Sequence, residues 1–245
     1  NALSLEQHIQ LKYFCDEIQI QYLCTPFSAE AARQIAELVP FFKIGSGEFQ
    51  DLWFIDQLRE IGLPVLFSTG MCSWDELVSN VSNNFGSLDF ALMNCLSEYP
   101  PKYEDLNLGV IDMLLEQFPD NIIGHSDHTQ TLASSLIAAS KGAQIIEKHI
   151  TISSFISGPD KDVSLNPEEF RLLTDEIRNV PEMLGSHKIL HEREKDVRSW
   201  AYRSVVAAQD IAQDTVLTEE MIKTKRPGSG IPSSNYREIL GKRTI

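Results

Sequence analysis

Two histidines, His128 and His149, close consecutive apolar, strand-like runs, with Glu147 and Asp160 near the second. Two neutral imidazoles meeting above a sheet, with positions left open for water or substrate, suit a catalytic divalent metal. Glu147 or Asp160 would then orient a ligand or a bound water. The competing reading makes each histidine a hydrogen-bonded structural residue. His125 shares the first run and reads as packing, while His8, His187 and His191 fall on surface-like helix or linker and take no role.

Other polar groups gather in the same kind of place. Lys43, Ser46 and Glu48 share one strand end with Gly45 and Gly47. Glycines there let backbone N–H groups approach an anion, and a lysine adds charge. Glu48 is a candidate general base toward a water or hydroxyl. Its plainer reading is an acid at a helix N-terminus, stabilised by the dipole. Ser68, Thr69 and Gly70 offer hydroxyls and N–H groups to a phosphate, or form an ordinary turn; no nucleophile elbow surrounds Ser68. Thr25 and the runs SEYP at 97–100 and SDHT at 126–129 complete the set. Each follows an apolar run, where the βα loops of parallel α/β proteins converge on substrates.

The elements that must position these residues are six β-rich runs, at 21–24, 42–44, 64–67, 90–94, 122–124 and 144–150. Helix-period segments separate them, with start signals at Ser28, at the capping box SWDE of 73–76, and at Asn166-Pro167-Glu168-Glu169. Strand alternating with helix predicts a parallel sheet. Periodicity alone leaves an open doubly wound sheet and a barrel both in play. Trp53 and Phe54 read as helix packing against the sheet, and Asp51, Asp56 and Glu60 as a solvated face. After Leu184 the pattern changes. Residues 185–200 are charged and read as a linker, and 201–245 as a small second domain. That domain has a β-like run at 203–208, a short helix capped by Thr218 and a tight loop at 225–230.

Composition narrows the class. A net charge of −14 over 245 residues excludes non-specific nucleic-acid binding, which needs excess Lys and Arg. No apolar run is long enough to span a bilayer and no signal segment is visible. The four cysteines form no C-x-x-C pair and read as buried free thiols of a reducing, cytoplasmic compartment. The first residue is Asn1, so the chain is expected to begin inside a longer gene product.

The runs KIGSGE at 43–48, STGM at 68–71, SEYP at 97–100, SDHT at 126–129, EKH at 147–149, GPD at 158–160 and KRPG at 225–228 resemble, in order and spacing, those of N-acetylneuraminate (sialic acid) synthases. The resemblance implies a (β/α)8 TIM barrel over residues 1–184 and an antifreeze-like (SAF) domain over 201–245. The barrel would lack its first two βα units, and the SAF domain its C-terminal end. It implies a domain-swapped homodimer in which Arg226 reaches the partner's site. It implies that His128 and His149 bind a divalent metal, Mn2+ first and Mg2+ or Co2+ next. Phosphoenolpyruvate and an N-acyl amino sugar would be the substrates. Lys43, Ser46, Thr25, Ser68, Ser97, Ser126 and Arg226 are then the substrate-binding residues, and Glu48, Tyr99 and Asp160 the catalytic ones.

The implied reaction joins carbon 3 of phosphoenolpyruvate to the aldehyde of the open-chain sugar, adds water at carbon 2 and releases phosphate. Gly45 and Gly47 resemble sialic and legionaminic acid synthases more than pseudaminic acid synthases, which favours N-acetylmannosamine and then a diacetamido sugar. At roughly 30 residues per βα unit, the missing units amount to about 60 residues. The full-length product is therefore expected to be active and this stretch alone inactive. Two rivals stand beside this reading: a synthase of the 3-deoxy-octulosonate-phosphate type, and a non-catalytic sugar-binding or interaction protein.

Overall fold

Strand alternation and helix capping together determine which side chains meet. The computed structural model describes residues 3–152, 158–226 and 229–245. It divides into two units, Asn1–Gly185 and Ser186–Ile245. In the first, strands β1 (Phe42–Ile44), β2 (Val65–Ser68), β3 (Phe90–Cys95), β4 (Ile123–Asp127) and β5 (Ile145–Lys148) form one parallel sheet in the order β1-β2-β3-β4-β5. Helices α1 (Leu5–Glu17) and α2 (Ala29–Ile35) precede it. Between and after the strands come α3 (Leu52–Ile61), α4 (Trp74–Asn80), α5 (Val110–Gln117), α6 (Ala133–Ser140) and α7 (Pro167–Met183).

Sequential strand order decides between the two sheet types that periodicity left open. Right-handed crossovers that always step the same way put every helix on the same face. A doubly wound sheet instead reverses its order and carries helices on both faces. The first unit is therefore a curled half-barrel. The expected strand at 21–24 is not formed, since no ladder hydrogen bond ties it to β1. Its side chains are held in other ways: Tyr22 and Cys24 pack against the core, and the Tyr22 hydroxyl lies 2.6 Å from His8 Nδ1.

The outward row of Phe42, Ile44, Val65, Phe67, Leu92 and Ile123 is buried beneath the helices. There Phe67 meets Phe85 at 4.8 Å with the rings tilted, and Phe49 at 5.9 Å in the edge-to-face geometry that favours aromatic pairs. The helices begin where their caps dictate. Ser28 accepts from Ala31 N, and Ser73 and Asn166 each close a reciprocal capping box. Asp51, read as solvated face, is instead the N-cap of α3 and accepts from Phe54 N. Phe54 packs as expected, but Trp53 points outward and is 66% exposed.

At Gly124 the sheet leaves no room for a side chain. A Cβ there would lie 2.8 Å from the Ile145 carbonyl oxygen and 2.9 Å from Met93 Cγ. Gly124→Ala is expected to destabilise the first unit by about 1–3 kcal/mol through overpacking, read as a lower urea midpoint.

In the second unit, α8 (Glu192–Ala201) precedes an antiparallel pair, β6 (Ser204–Ala207) and β7 (Ile222–Lys225), and α9 (Tyr236–Ile239) lies near the end. The expected linker at 185–200 thus contains a helix, begun by a capping box between His191 and Glu194. Its residues are exposed on nearly every side, so no apolar stripe announces it. Thr218 precedes a single 3-10 turn rather than a capped helix. The tight loop at 225–230 falls partly outside the described residues. All four cysteines are free thiols, half-buried rather than buried. Among the described residues, no helix is long and apolar enough to cross a membrane.

Candidate active site

Strand register stacks the inward side chains in rows. Lys43 pairs with Leu66, Ser68 with Met93, Cys95 with Ser126, and Ser126 with Glu147. Alternation puts Lys43, Ser68, Cys95, Ser126 and Glu147 on the inner face, near the strands' C-terminal ends. They line one cavity of about 560 Å³, to which the loops add Thr25, Ser46, Glu48, Ser97, Tyr99, His128 and His149. That volume suits a small-molecule site.

Glu147 ties the floor together. It accepts from Ser126 Oγ at 2.7 Å through Oε1, and its Oε2 lies 3.5 Å from Lys43 Nζ. Lys43 is the one lysine or arginine in the described wall, and it faces two carboxylates, Glu48 and Glu147. Ser68 Oγ is buried and has no hydrogen-bond partner among the described residues. A buried hydroxyl left so costs about 1–3 kcal/mol until something satisfies it.

Ser46 Oγ accepts from Gly70 N at 2.9 Å. A Cβ at residue 70 would fall 2.3 Å from Ser97 Oγ and 2.8 Å from Ser46 Oγ, so only glycine lets both hydroxyls face the cavity. At Gly45, a Cβ would lie 3.1 Å from Glu48 Oε2. The glycines thus make room for the polar groups around them.

His128 follows β4 and His149 follows β5, and their ring centroids are 5.3 Å apart. His128 Nδ1 lies 2.8 Å from the Leu96 carbonyl oxygen. That bond makes Nδ1–H the donor and leaves Nε2 with its lone pair. Burial lowers the His128 pKa, which favours the neutral ring that ligation requires. His149 Nδ1 lies 3.9 Å from Asp160 Oδ2. Tyr99 covers both rings, at 4.1 Å from His128 and edge-on at 5.8 Å from His149. Partial burial, then the neighbouring Cys95, Asp160 and Glu147, raise its phenol pKa and keep the hydroxyl protonated.

No group of three or more His, Cys, Asp or Glu side chains suited to a metal converges among the described residues. The donor set is two imidazoles with open positions. It fits a catalytic divalent ion completed by water and substrate, and not a closed structural site.

Ten of the expected site residues thus meet in one cavity, and two do not. Asp160 stands beside His149 without lining the wall. Arg226 belongs to the second unit, with its guanidinium 5.6 Å from the Trp200 ring centroid. Phe27, Met71 and Cys95 line the cavity without having been singled out for it. Cys95 could have been found by counting alternate positions along β3. His125 faces outward, its Nδ1 3.1 Å from the Asn94 carbonyl, as a packing histidine should.

A model of the NeuB family matches residues 1–189, and a SAF-domain model matches residues 202–245. The chain belongs to the NeuB family. It is 32% identical to the N,N'-diacetyllegionaminic acid synthase of Campylobacter jejuni, over 98% of this chain and 73% of that one. It is also 32% identical to human N-acetylneuraminate-9-phosphate synthase, over 99% of this chain and 68% of that one. The crystal structure of N-acetylneuraminic acid synthetase from Leptospira borgpetersenii, in complex with citrate, superposes with a TM-score of 0.72. It has 29% identity and covers 80% of this chain and 69% of that one. The family read from the motifs is thus the family found, and the SAF match falls on the NeuB-family chain's small second unit.

Proposed function

We propose that this NeuB-family chain is an enzyme that condenses phosphoenolpyruvate with N-acetylmannosamine, or a related N-acyl amino sugar, and water. The products are a nonulosonic acid and phosphate. The observation that carries the reading is the convergence of His128 and His149 on the cavity that also holds Lys43 and the unpartnered Ser68 hydroxyl. The names of the relatives support the same chemistry.

Lys43 and Ser68, with Ser97 and Ser126, hold phosphoenolpyruvate by its charged oxygens. His128 and His149 hold a divalent ion, Mn2+ first, which supplies Lewis-acid polarisation of the sugar aldehyde. Tyr99 and Asp160 orient the sugar beside the imidazoles, and Thr25 and Ser46 complete its hydrogen bonding. Carbon 3 of phosphoenolpyruvate attacks the aldehyde carbon, whose oxygen takes a proton. Carbon 2 becomes cationic and adds water, and Glu48 accepts the proton that this water loses. The tetrahedral carbon then collapses to the ketone. The C–O bond to phosphate breaks and phosphate leaves with the remaining hydroxyl proton, while the proton taken by Glu48 balances the one gained by the aldehyde oxygen. Holding both substrates in one cavity supplies the orientation that a bimolecular step lacks.

The half-barrel is one arc of a closed (β/α)8 barrel in this reading. The enzyme works as a cytoplasmic, domain-swapped homodimer, and Arg226 of a second copy brings positive charge toward the sugar's acyl group. The SAF match has no place in a synthase of the 3-deoxy-octulosonate-phosphate type.

Phosphate release by the full-length gene product should require both an N-acyl amino sugar and Mn2+. N-acetylmannosamine, a diacetamido sugar and arabinose 5-phosphate form the substrate panel. Release with the sugar phosphate alone, or with none of the three, would overturn the assignment. Gly70→Ala should raise the KM for phosphoenolpyruvate about tenfold, equal to one charge-assisted hydrogen bond of roughly 1.5 kcal/mol. An unchanged KM would remove Ser97 from the phosphoenolpyruvate site.

A further inference from the structure

Behind the imidazoles lies a second set of charged groups that the reaction does not use. Lys148 Nζ and Asp127 Oδ2 are 3.0 Å apart, with side chains only 1% and 0% exposed. Each is the sequence neighbour of one histidine: Asp127 precedes His128 and Lys148 precedes His149. Alternation turns both away from the cavity, toward α6. There Asp127 Oδ2 accepts from Ser134 Oγ at 2.5 Å and Ser135 Oγ at 2.6 Å, while Oδ1 accepts from Thr129 N at 2.8 Å. Lys148 Nζ donates to the Thr129 carbonyl and, at 3.2 Å each, to Thr129 Oγ1 and the Thr131 carbonyl.

The result is a cross-strand clamp. The residue before His149 grips the backbone of the loop that starts at His128, and the residue before His128 anchors the same loop to α6. Every donor of the ammonium is used, and both carboxylate oxygens accept. A buried ion pair adds little stability over apolar side chains of similar shape, so bulk stability does not explain this arrangement. Its geometry does a particular thing: it fixes the ends of β4 and β5 against each other.

We infer that the Asp127–Lys148 pair is a positioning device that sets the separation of the His128 and His149 rings for a divalent ion. The inference rests on the proposed metal role of those two histidines. Partners one shell removed from a metal typically shift affinity by about 10- to 100-fold, and the same size is expected here.

The test measures Mn2+ binding by calorimetry on the full chain, with folding checked by circular dichroism and thermal melting. Asp127→Asn/Lys148→Met keeps both shapes and leaves no unpaired charge, so it should fold. It should bind Mn2+ about 10- to 100-fold more weakly than wild type. Lys148→Met alone serves as the second variant, because Asp127 keeps its three other hydrogen bonds. Leu58→Ala, in the buried face of α3, is the control for general loosening. It should lower the melting temperature and leave Mn2+ affinity unchanged.

Wild-type affinity in the folded double variant would overturn the inference, and so would an equal loss in Leu58→Ala. If wild type itself binds no Mn2+, or His128→Ala binds it as tightly, the metal reading fails first and the positioning role falls with it.

Discussion

Alanine at His128 or at His149 is expected to lower the condensation rate on the order of 10³-fold. The loss follows from several kcal/mol of transition-state stabilisation at 1.36 kcal/mol per tenfold. Mn2+ binding should fall below detection in the same variants. The two rings are 5.3 Å apart and serve one ion, so their effects should not add. The double variant should be no slower than either single one. A double variant whose loss is the product of the two single losses would mean that the histidines act separately. Tyr99→Phe provides the contrast, since it keeps the ring stacked 4.1 Å from His128 and removes only the hydroxyl. It should retain Mn2+ binding while catalysis drops.

The second large effect is on stability. Asp127→Ala removes the carboxylate and leaves the Lys148 ammonium buried without its counter-charge. Such a change costs about 3–5 kcal/mol, because the remaining ion has been taken out of water with nothing to compensate it. Chemical denaturation should show the loss in the first unit. Burial already lowers the Lys148 pKa, with Asp127 opposing that shift, so the variant's lysine should release its proton more readily still. Adding Lys148→Met to Asp127→Ala should recover part of the stability. If the second substitution makes matters worse, the ion pair is not the source of the effect.

These two predictions concern neighbouring residues with opposite orientations, which is what the β-strand imposes. Residue 126 faces the cavity and residue 127 faces the helices, and the loop begins at residue 128. One register shift would bury the wrong set. The pairing of Cys95 with Ser126 and of Ser126 with Glu147 fixes that register in the structure.

Much of this was legible in the residues themselves. Apolar runs at 42–44, 64–67 and 90–94 coincide with strands to within a residue or two, because strands covered on both faces are almost wholly apolar. Ser73 and Asn166 start their helices where cap chemistry says they should, since capping is settled by neighbours in the chain. The clusters that hold Lys43, Ser68, Ser97, His128 and His149 could be named as one site because parallel strands deliver their C-terminal ends to one rim.

Tertiary structure alone decided the rest. The choice between a doubly wound sheet and a curled one depends on strand order, which no local pattern encodes. Helix α8 escaped notice because a solvated helix has no apolar stripe, and residues 21–24 made no strand because ladder bonds need a neighbour as well as propensity. The Asp127–Lys148 clamp joins residues 21 apart in sequence, on adjacent strands, and only the fold brings them within 3.0 Å. Local chemistry named the reacting groups; long-range pairing set their distances, because contacts between strands depend on register and burial that emerge only once the chain has closed on itself.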